Sequence, residues 1–299
     1  MSVRITPRTT QKTAIDNLGS TLSRMAQLQE QLASGKSINR PSDSPIQTVE
    51  AMQYRSEIRR SDQFQRNAND GLNWLGMADN TLTGVLSSLG RVKELVLQGI
   101  NGSTDATQRG NIAQEVLALR DSLIGQGNAK YLDRPIFGGN AGGSAAYTAT
   151  GTFIGSSGDV IERRVGPNQK VRVNLTGPEV FGNDGVGAAG NLFQIVDQIA
   201  TDLQTNNTSA LSTDLNALDL RRVTVENQLG AVGARYNQVD GMKSRAEDQQ
   251  VTMKNGLSEV ENIDLPKTIV DLQLQEIAYK SALSATSRVI QPSLLDFLR

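Results

Sequence analysis

From Leu211 to Val260 the chain reads LSTDLNALDLRRVTVENQLGAVGARYNQVDGMKSRAEDQQVTMKNGLSEV. Leu211, Leu215, Leu218, Arg222, Val225, Leu229, Val232, Tyr236, Val239, Lys243, Ala246, Gln250, Met253, Leu257 and Val260 recur at alternating steps of four and three, and 12 of these 15 positions are hydrophobic. The chain as a whole is 37% hydrophobic. This period belongs to an α-helix with one apolar stripe. A helix of that length extends about 75 Å, whereas a compact globule of the whole chain would have a radius of gyration of about 19 Å. The stretch therefore predicts an elongated helical fold whose seam is covered by other helices.

Those other helices are found by working outward. From Ala68 a second ladder runs through Leu72, Leu75, Asp79, Leu82, Leu86, Leu89, Lys93, Val96 and Ile100 until Asn101-Gly102-Ser103 ends it. A third helix places Ile112, Val116, Leu119 and Leu123 on one face. Near the N-terminus Ile15, Leu18, Leu22, Met25 and Leu32 form a stripe, interrupted only by Gln29. Near the C-terminus Leu265, Ile269, Leu272, Tyr279, Leu283 and Ile290 form another, with Glu276 and Thr286 as breaks. A single helix cannot bury such a seam, so both ends of the chain are expected to meet partner helices.

Gly138 marks a change of texture. Residues 138–190 hold 13 of the 28 glycines. Residues 151–154, 160–165 and 170–175 have the composition of short strands, and Gly158-Asp159, Gly166-Pro167-Asn168 and Gly177-Pro178 punctuate them as turns. Helix resumes near Asn191 and breaks at Asp264-Leu265-Pro266. The expected architecture is mainly α with a small β insert: an elongated antiparallel coiled-coil or helical-bundle rod carrying an outer β-rich domain. Its parts are an N-terminal assembly helix and loop (1–45), the two halves of the rod (46–137 and 191–262), the insert (138–190), and a C-terminal assembly helix and tail (263–299). Both assembly segments are expected to be disordered in an isolated monomer, because ordering costs about 1–2 kcal/mol per residue in backbone entropy.

Composition removes most chemistry. Lys plus Arg is 30 against 31 Asp plus Glu, and the chain has no Cys and no His. Disulfides, thiol nucleophiles, histidine bases and nearly all zinc or iron sites are excluded. Near-neutral charge disfavours a polyanion binder, and the mildly basic first sixty residues carry Tyr54 as their one aromatic, too few rings for stacking on nucleic acid. No stretch has the run of apolar residues that a membrane helix needs. Arg4, Arg8 and Lys12 precede an amphipathic pattern that lacks the apolar block of a cleaved secretion signal. Gly35-Lys36-Ser37 is not a phosphate loop, since Glu30 occupies the required upstream glycine position and helix precedes it. Asn101-Gly102-Ser103, Asn174-Leu175-Thr176 and Asn206-Asn207-Thr208 match glycosylation sequons, as a polar chain does by chance. No catalytic residue, metal ligand or cofactor site is expected, and the chain is not expected to be an enzyme.

Two segments invite contact with other chains. In Ser34-Gly35-Lys36-Ser37-Ile38-Asn39-Arg40-Pro41-Ser42-Asp43-Ser44-Pro45, the two prolines stiffen a loop on which Asn39, Arg40, Pro41 and Asp43 are displayed. Ser44, Pro45 and Gln47 then start the next helix. At the other end Leu294, Leu295, Phe297 and Leu298 crowd a terminus that is ordinarily polar.

The residues from Leu32 to Pro45, the tail from Gln291 to Leu298, Tyr131-Leu132 with Phe137-Gly138-Gly139, and Glu261-Asn262-Ile263-Asp264-Leu265 together resemble the flagellin superfamily, in its hook-associated branch. Ser44 stands where that branch usually repeats Asp, and Lys130-Tyr131-Leu132-Asp133-Arg134-Pro135 departs from its usual Asn-x-x-Tyr-Leu-Phe-x-Gly. The resemblance spans the whole chain. It implies an extracellular structural subunit at the junction of flagellar hook and filament, exported by the type III route without a cleaved signal. It also implies terminal helices that assemble with like subunits in a ring, with hook-associated protein 1 and with flagellin, and a C-terminal region held by an export chaperone. No nucleic acid or membrane partner is implied. The assembly contacts would be Ile15, Leu18, Leu22, Met25, Leu32, Asn39, Arg40, Pro41, Asp43, Leu272, Tyr279, Leu283, Ile290, Leu294, Leu295, Phe297 and Leu298. A flagellin of the filament itself is the alternative; a secreted coiled-coil adhesin or effector is a more distant one.

Overall fold

A computed structural model describes residues 7–184 and 190–295. The elements are α1 (Pro7–Ser34), α2 (Pro45–Ile100), α3 (Ala106–Gly127), β1 (Lys130–Tyr131), β2 (Arg134–Pro135), β3 (Glu162–Gly166), β4 (Gln169–Arg172), α4 (Gly177–Phe181), α5 (Leu192–Gln204), α6 (Thr208–Glu261) and α7 (Leu265–Leu295). The chain is thus mainly helical with a small β insert. It divides into two compact units, one of residues 1–59 with 250–299 and one of residues 60–249.

The larger unit, 60–249, holds the core. Along α6, Leu211, Leu218, Val225, Val232, Val239 and Ala246 are buried, every second rung of the ladder. Along α2, Leu75, Leu82, Leu89 and Val96 are buried, and so are Ala78, Val85, Val92 and Leu95 beside them. The doubled stripe follows from two sets of neighbours. Lys93 reaches Asp219 of α6 at 2.7 Å, and Arg91 reaches Glu115 of α3 at 2.7 Å. α3 begins on a capping box between Asp105 and Gln108 and buries Ile112, Val116 and Leu123. α5 begins on a second box, Asn191 with Gln194, and packs its buried Ile195, Val196, Ile199 and Leu203 into the same cluster.

The insert is more irregular than its composition predicts. Residues 151–154 do not form a strand. Gly151 adopts φ +80° and its N–H donates to the Thr148 carbonyl at 2.9 Å, so the chain turns back and only a single bridge, Tyr147 to Phe153, remains. The predicted pair at 160–165 and 170–175 is a tighter hairpin of β3 and β4, with Glu162 opposite Arg172. It stops at Arg172 because the fully buried Asn174 takes over. Its Oδ1 accepts from the Ile161 N–H at 2.8 Å and its Nδ2 donates to the Asp159 carbonyl at 2.8 Å. A further hairpin, β1–β2, turns on Leu132 and Asp133, both with positive φ and neither a glycine, so the usual Asn-Gly signal is missing.

Five rings close the insert. Tyr147 lies 4.8 Å from Phe193, 5.3 Å from Phe153 and 5.5 Å from Phe181, and Phe181 lies 5.1 Å from Phe137. Tyr147, Phe137, Phe181 and Phe193 are buried in one cluster with Leu75, Leu82 and Leu123. The insert is therefore built onto the helical core of this unit. Asn128, just past α3, fastens it. Its Oδ1 accepts from the N–H groups of Ala146 and Tyr147, each at 2.8 Å, and its Nδ2 donates to the Tyr147 carbonyl at 3.0 Å.

One pair in this unit opposes the fold near neutrality. Burial and the neighbouring Asp202 carboxylate push the Asp214 carboxyl up to about 6. Asp202 is itself buried, with its oxygens taken by Gln198 and Asn207, while the buried Asp214 Oδ2 has no donor among the described residues. Protonating Asp214 removes its repulsion with Asp202 and the cost of burying its charge. Because the folded value is raised, the stabilisation is complete below the unfolded carboxyl value and is lost as pH rises through about 6. Asp214→Asn is expected to stabilise this unit at pH 7.5 by about 1–2 kcal/mol after solvent screening, and to flatten its stability between about pH 4 and 7. Urea titrations at several pH values check this.

Candidate assembly surface

The smaller unit begins with how α1 and α7 are joined. Gly35, at φ +71°, ends α1, and its N–H donates to the Gln31 carbonyl at 2.8 Å. The next residues lie against the break between α6 and α7. The Ser37 N–H donates to the Glu261 carbonyl at 2.7 Å, the Ile263 N–H donates to the Gly35 carbonyl at 3.2 Å, and Lys36 and Asn262 form an antiparallel bridge. The Ser37 hydroxyl donates to the Val260 carbonyl at 3.1 Å. Asp264 starts α7, its carboxylate accepting from the Lys267 N–H at 3.1 Å.

Glu261 is the electrostatic centre of this joint. Its side chain is 8% exposed and pairs with Lys36 at 3.3 Å and with Arg55. Removing it leaves two cations facing each other at a strap of backbone hydrogen bonds. Glu261→Gln is expected to weaken the joint by about 1–2 kcal/mol and to speed protease cleavage between residues 35 and 44. Limited proteolysis followed by mass spectrometry measures that.

The loop is more internally committed than a display of free charges. One oxygen of Asp43 accepts from the N–H groups of Asn39 at 3.1 Å and Arg40 at 2.8 Å, so this carboxylate shapes the turn. Arg40 is exposed and reaches Glu30 of α1 at 3.3 Å. Asn39, Arg40 and Pro41 line an open cleft with Lys36, Thr48, Met52 and Glu261. Ile46, Val49 and Met52, on the first turns of α2, are exposed beside it, Ile46 at 83%.

α1 and α7 lie antiparallel, as the bonds from Ile263 to Gly35 and from Gln275 Nε2 to the Thr21 carbonyl (3.3 Å) require. The terminal seams therefore find a partner within one chain. The half-buried stripe of α1 is Ala14, Leu18, Thr21, Met25, Leu28 and Leu32. That of α7 is Thr268 (buried), Leu272, Gln275, Tyr279, Ala282 and Thr286. Both follow the four-three spacing of a two-helix seam. Of the residues singled out from the sequence, Leu18, Met25, Leu32, Leu272 and Tyr279 lie on these stripes. Ile15, Leu22 and Leu283 lie one position over and stay exposed. The side chains of Ile290, Leu294 and Leu295 lie outside the described residues, as do Phe297 and Leu298 entirely.

The sequence reading missed a second face. Val270, Leu274 and Ile277 stand at steps of four and three on the side of α7 away from the α1-facing stripe, and they are 53–61% exposed. α7 thus carries large apolar residues on two opposite sides, and its partner within the chain covers one, a stripe that also holds Thr268, Gln275 and Thr286. The signal was present in the sequence but masked by the longer ladder beside it. Among the described residues no helix is long and apolar enough to cross a membrane, and no group of three or more acidic residues is placed to hold a metal ion.

Residues 5–135 match the family described as the bacterial flagellin N-terminal helical region. Flagellar hook-associated protein 3 of Escherichia coli K12 is 22% identical, over 86% of this chain and 87% of its own length. The flagellin of Bacillus subtilis 168 is 27% identical, over 77% of this chain and 73% of its own. The crystal structure of the flagellar junction protein FlgL from Legionella pneumophila, 14% identical, covers 71% of this chain and 100% of its own with a TM-score of 0.58 and shows the same fold.

Proposed function

We infer that this hook-associated, flagellin-like chain is a structural subunit of the bacterial flagellum that joins hook to filament. The observation that carries the reading is α7, apolar on opposite faces in a chain that covers only one of them. A soluble helix with a second bare stripe is built to be enclosed by neighbours. We assign that enclosure to like subunits packed side by side through α1 and α7. Ile15, Leu22 and Leu283 flank the seam where a neighbour's helix would lie, and Asn39, Arg40 and Pro41 offer a second contact beside Ile46 and Met52. The tail, Leu294 to Leu298, would dock on the same neighbours.

The finer reading follows from the same surface. Hook-associated protein 1 would sit on the hook side of the ring and flagellin on the filament side, and a chaperone would cover the C-terminal stripes during export. Export would use the flagellar type III channel without a cleaved peptide. The alternative, a filament subunit, is favoured by the similarity to a flagellin. Immunogold electron microscopy of intact flagella separates the two. A single labelled band where hook meets filament supports the junction reading, and label along the whole filament overturns it.

A further inference from the structure

The dipeptide Asn-Gly occurs twice in the chain, as Asn101-Gly102 and Asn255-Gly256, and the fold treats the two in opposite ways. Asn255-Gly256 lies inside α6. Helical backbone engages the Gly256 N–H in the i→i−4 ladder and directs it along the axis, away from its neighbour's side chain. The ring of Tyr54 also lies against Gly256, 2.8 Å from where a Cβ would stand. Asn101-Gly102 lies in the turn between α2 and α3, where Asn101, Gly102 and Ser103 are all exposed. No described residue accepts a hydrogen bond from the Gly102 N–H. The Asn101 Oδ1, in contrast, accepts from the Ser103 N–H at 3.3 Å and from the Ser103 hydroxyl at 3.2 Å.

We propose that Asn101 is a site of self-catalysed deamidation in the folded protein. The Gly102 amide nitrogen, on losing its proton to solvent, attacks Cγ of Asn101. A C–N bond forms, and the two donors from Ser103 stabilise the negative charge that develops on Oδ1. The side-chain nitrogen takes up a proton and leaves as ammonia, giving a five-membered succinimide. Water then adds to either ring carbonyl and opens it to aspartate or isoaspartate. One water enters, one ammonia departs, and no redox partner is needed. Glycine matters at position 102 because it lacks the Cβ that would obstruct the approach of its nitrogen. The product places a carboxylate, and in the iso form an added backbone methylene, just past the last turn of α2.

The test uses the intact chain incubated in mildly alkaline buffer and digested with trypsin. The peptide Glu94–Arg109 reports Asn101 and the peptide Asn255–Lys267 reports Asn255. In the folded protein the first is expected to acquire the mass of the acid at least about tenfold faster than the second, a barrier difference of about 1.4 kcal/mol. In concentrated urea the two should convert at matching rates, which assigns the difference to the fold. Gly102→Ala should slow the first peptide about tenfold or more while leaving the melting profile unchanged, since an added Cβ there meets nothing within 4 Å. Ser103→Ala should slow it by a smaller factor. Equal rates in the folded protein, or an unmodified Glu94–Arg109 peptide under conditions in which the unfolded chain converts, would overturn the proposal.

Discussion

Leu274→Glu combined with Ile277→Glu is expected to strip cells of attached filaments while the chain is still made and still folds. Both residues are exposed, so the larger unit loses no packing and its melting profile should match the parent. In the assembly proposed here the same positions would lie against a neighbour. Each apolar side chain gives up about 1 kcal/mol of remaining burial, and each new carboxylate costs several kcal/mol to enclose without a cation. Together these reduce the affinity between subunits by about a thousandfold or more. Filament counts by electron microscopy, set beside circular dichroism of the purified variant, measure both halves. Normal filaments on cells carrying the double substitution would show that this face of α7 stays in water.

Phe181→Ala should have the largest effect on the fold itself. Phe181 is fully buried and stands 5.1 Å from both Phe137 and Phe193 and 5.5 Å from Tyr147. Removing the ring opens a cavity beside Phe137, Tyr147 and Phe193 and costs about 3–5 kcal/mol. For a unit the size of residues 60–249 that lowers the thermal midpoint by about 10 °C. The result distinguishes an insert fused to the helical core from an appendage folded on its own. Fusion predicts that near-ultraviolet and far-ultraviolet signals fall together at the lower temperature. An appendage predicts loss of the aromatic signal with the helices melting as before.

The fold class was legible because it rests on period. The rungs Leu211, Leu218, Val225, Val232 and Val239 were marked by spacing alone, and all are buried. Helix ends were legible where the chemistry is local, as with Gly35 and its positive φ, Pro45, and Asn191 at the start of α5. The interior of the insert was not. Phe137, Tyr147, Phe153, Phe181 and Phe193 have no period, and they meet only because Asn128 and Asn174 hold irregular backbone in place. The low aromatic content of the chain concealed that its rings are concentrated there.

The terminal helices show a subtler limit. On α1 the residues Leu18, Met25 and Leu32 form an edge shared by two stripes. With Ala14, Thr21 and Leu28 they face α7, and with Ile15 and Leu22 they make the seam read from the sequence. Hydrophobicity favours the second grouping because isoleucine and leucine outweigh alanine and threonine. Packing favours the first, because small residues let two helices approach closely. The bulky flank is left outside, where a neighbour is proposed. The loop was opaque for a different reason. Spacing reveals that Asp43 sits on a stiff turn, but only the folded geometry reveals that its carboxylate is spent on the N–H groups of Asn39 and Arg40.

The junction role is tested most directly in cells that lack this chain and keep every other flagellar component. Electron microscopy of the cells and an assay for flagellin in the culture medium are read together. The role inferred above predicts hooks that end bare, with flagellin shed into the medium and both defects repaired by the intact chain. Filaments of normal length, firmly attached to their hooks in the absence of the chain, would contradict it.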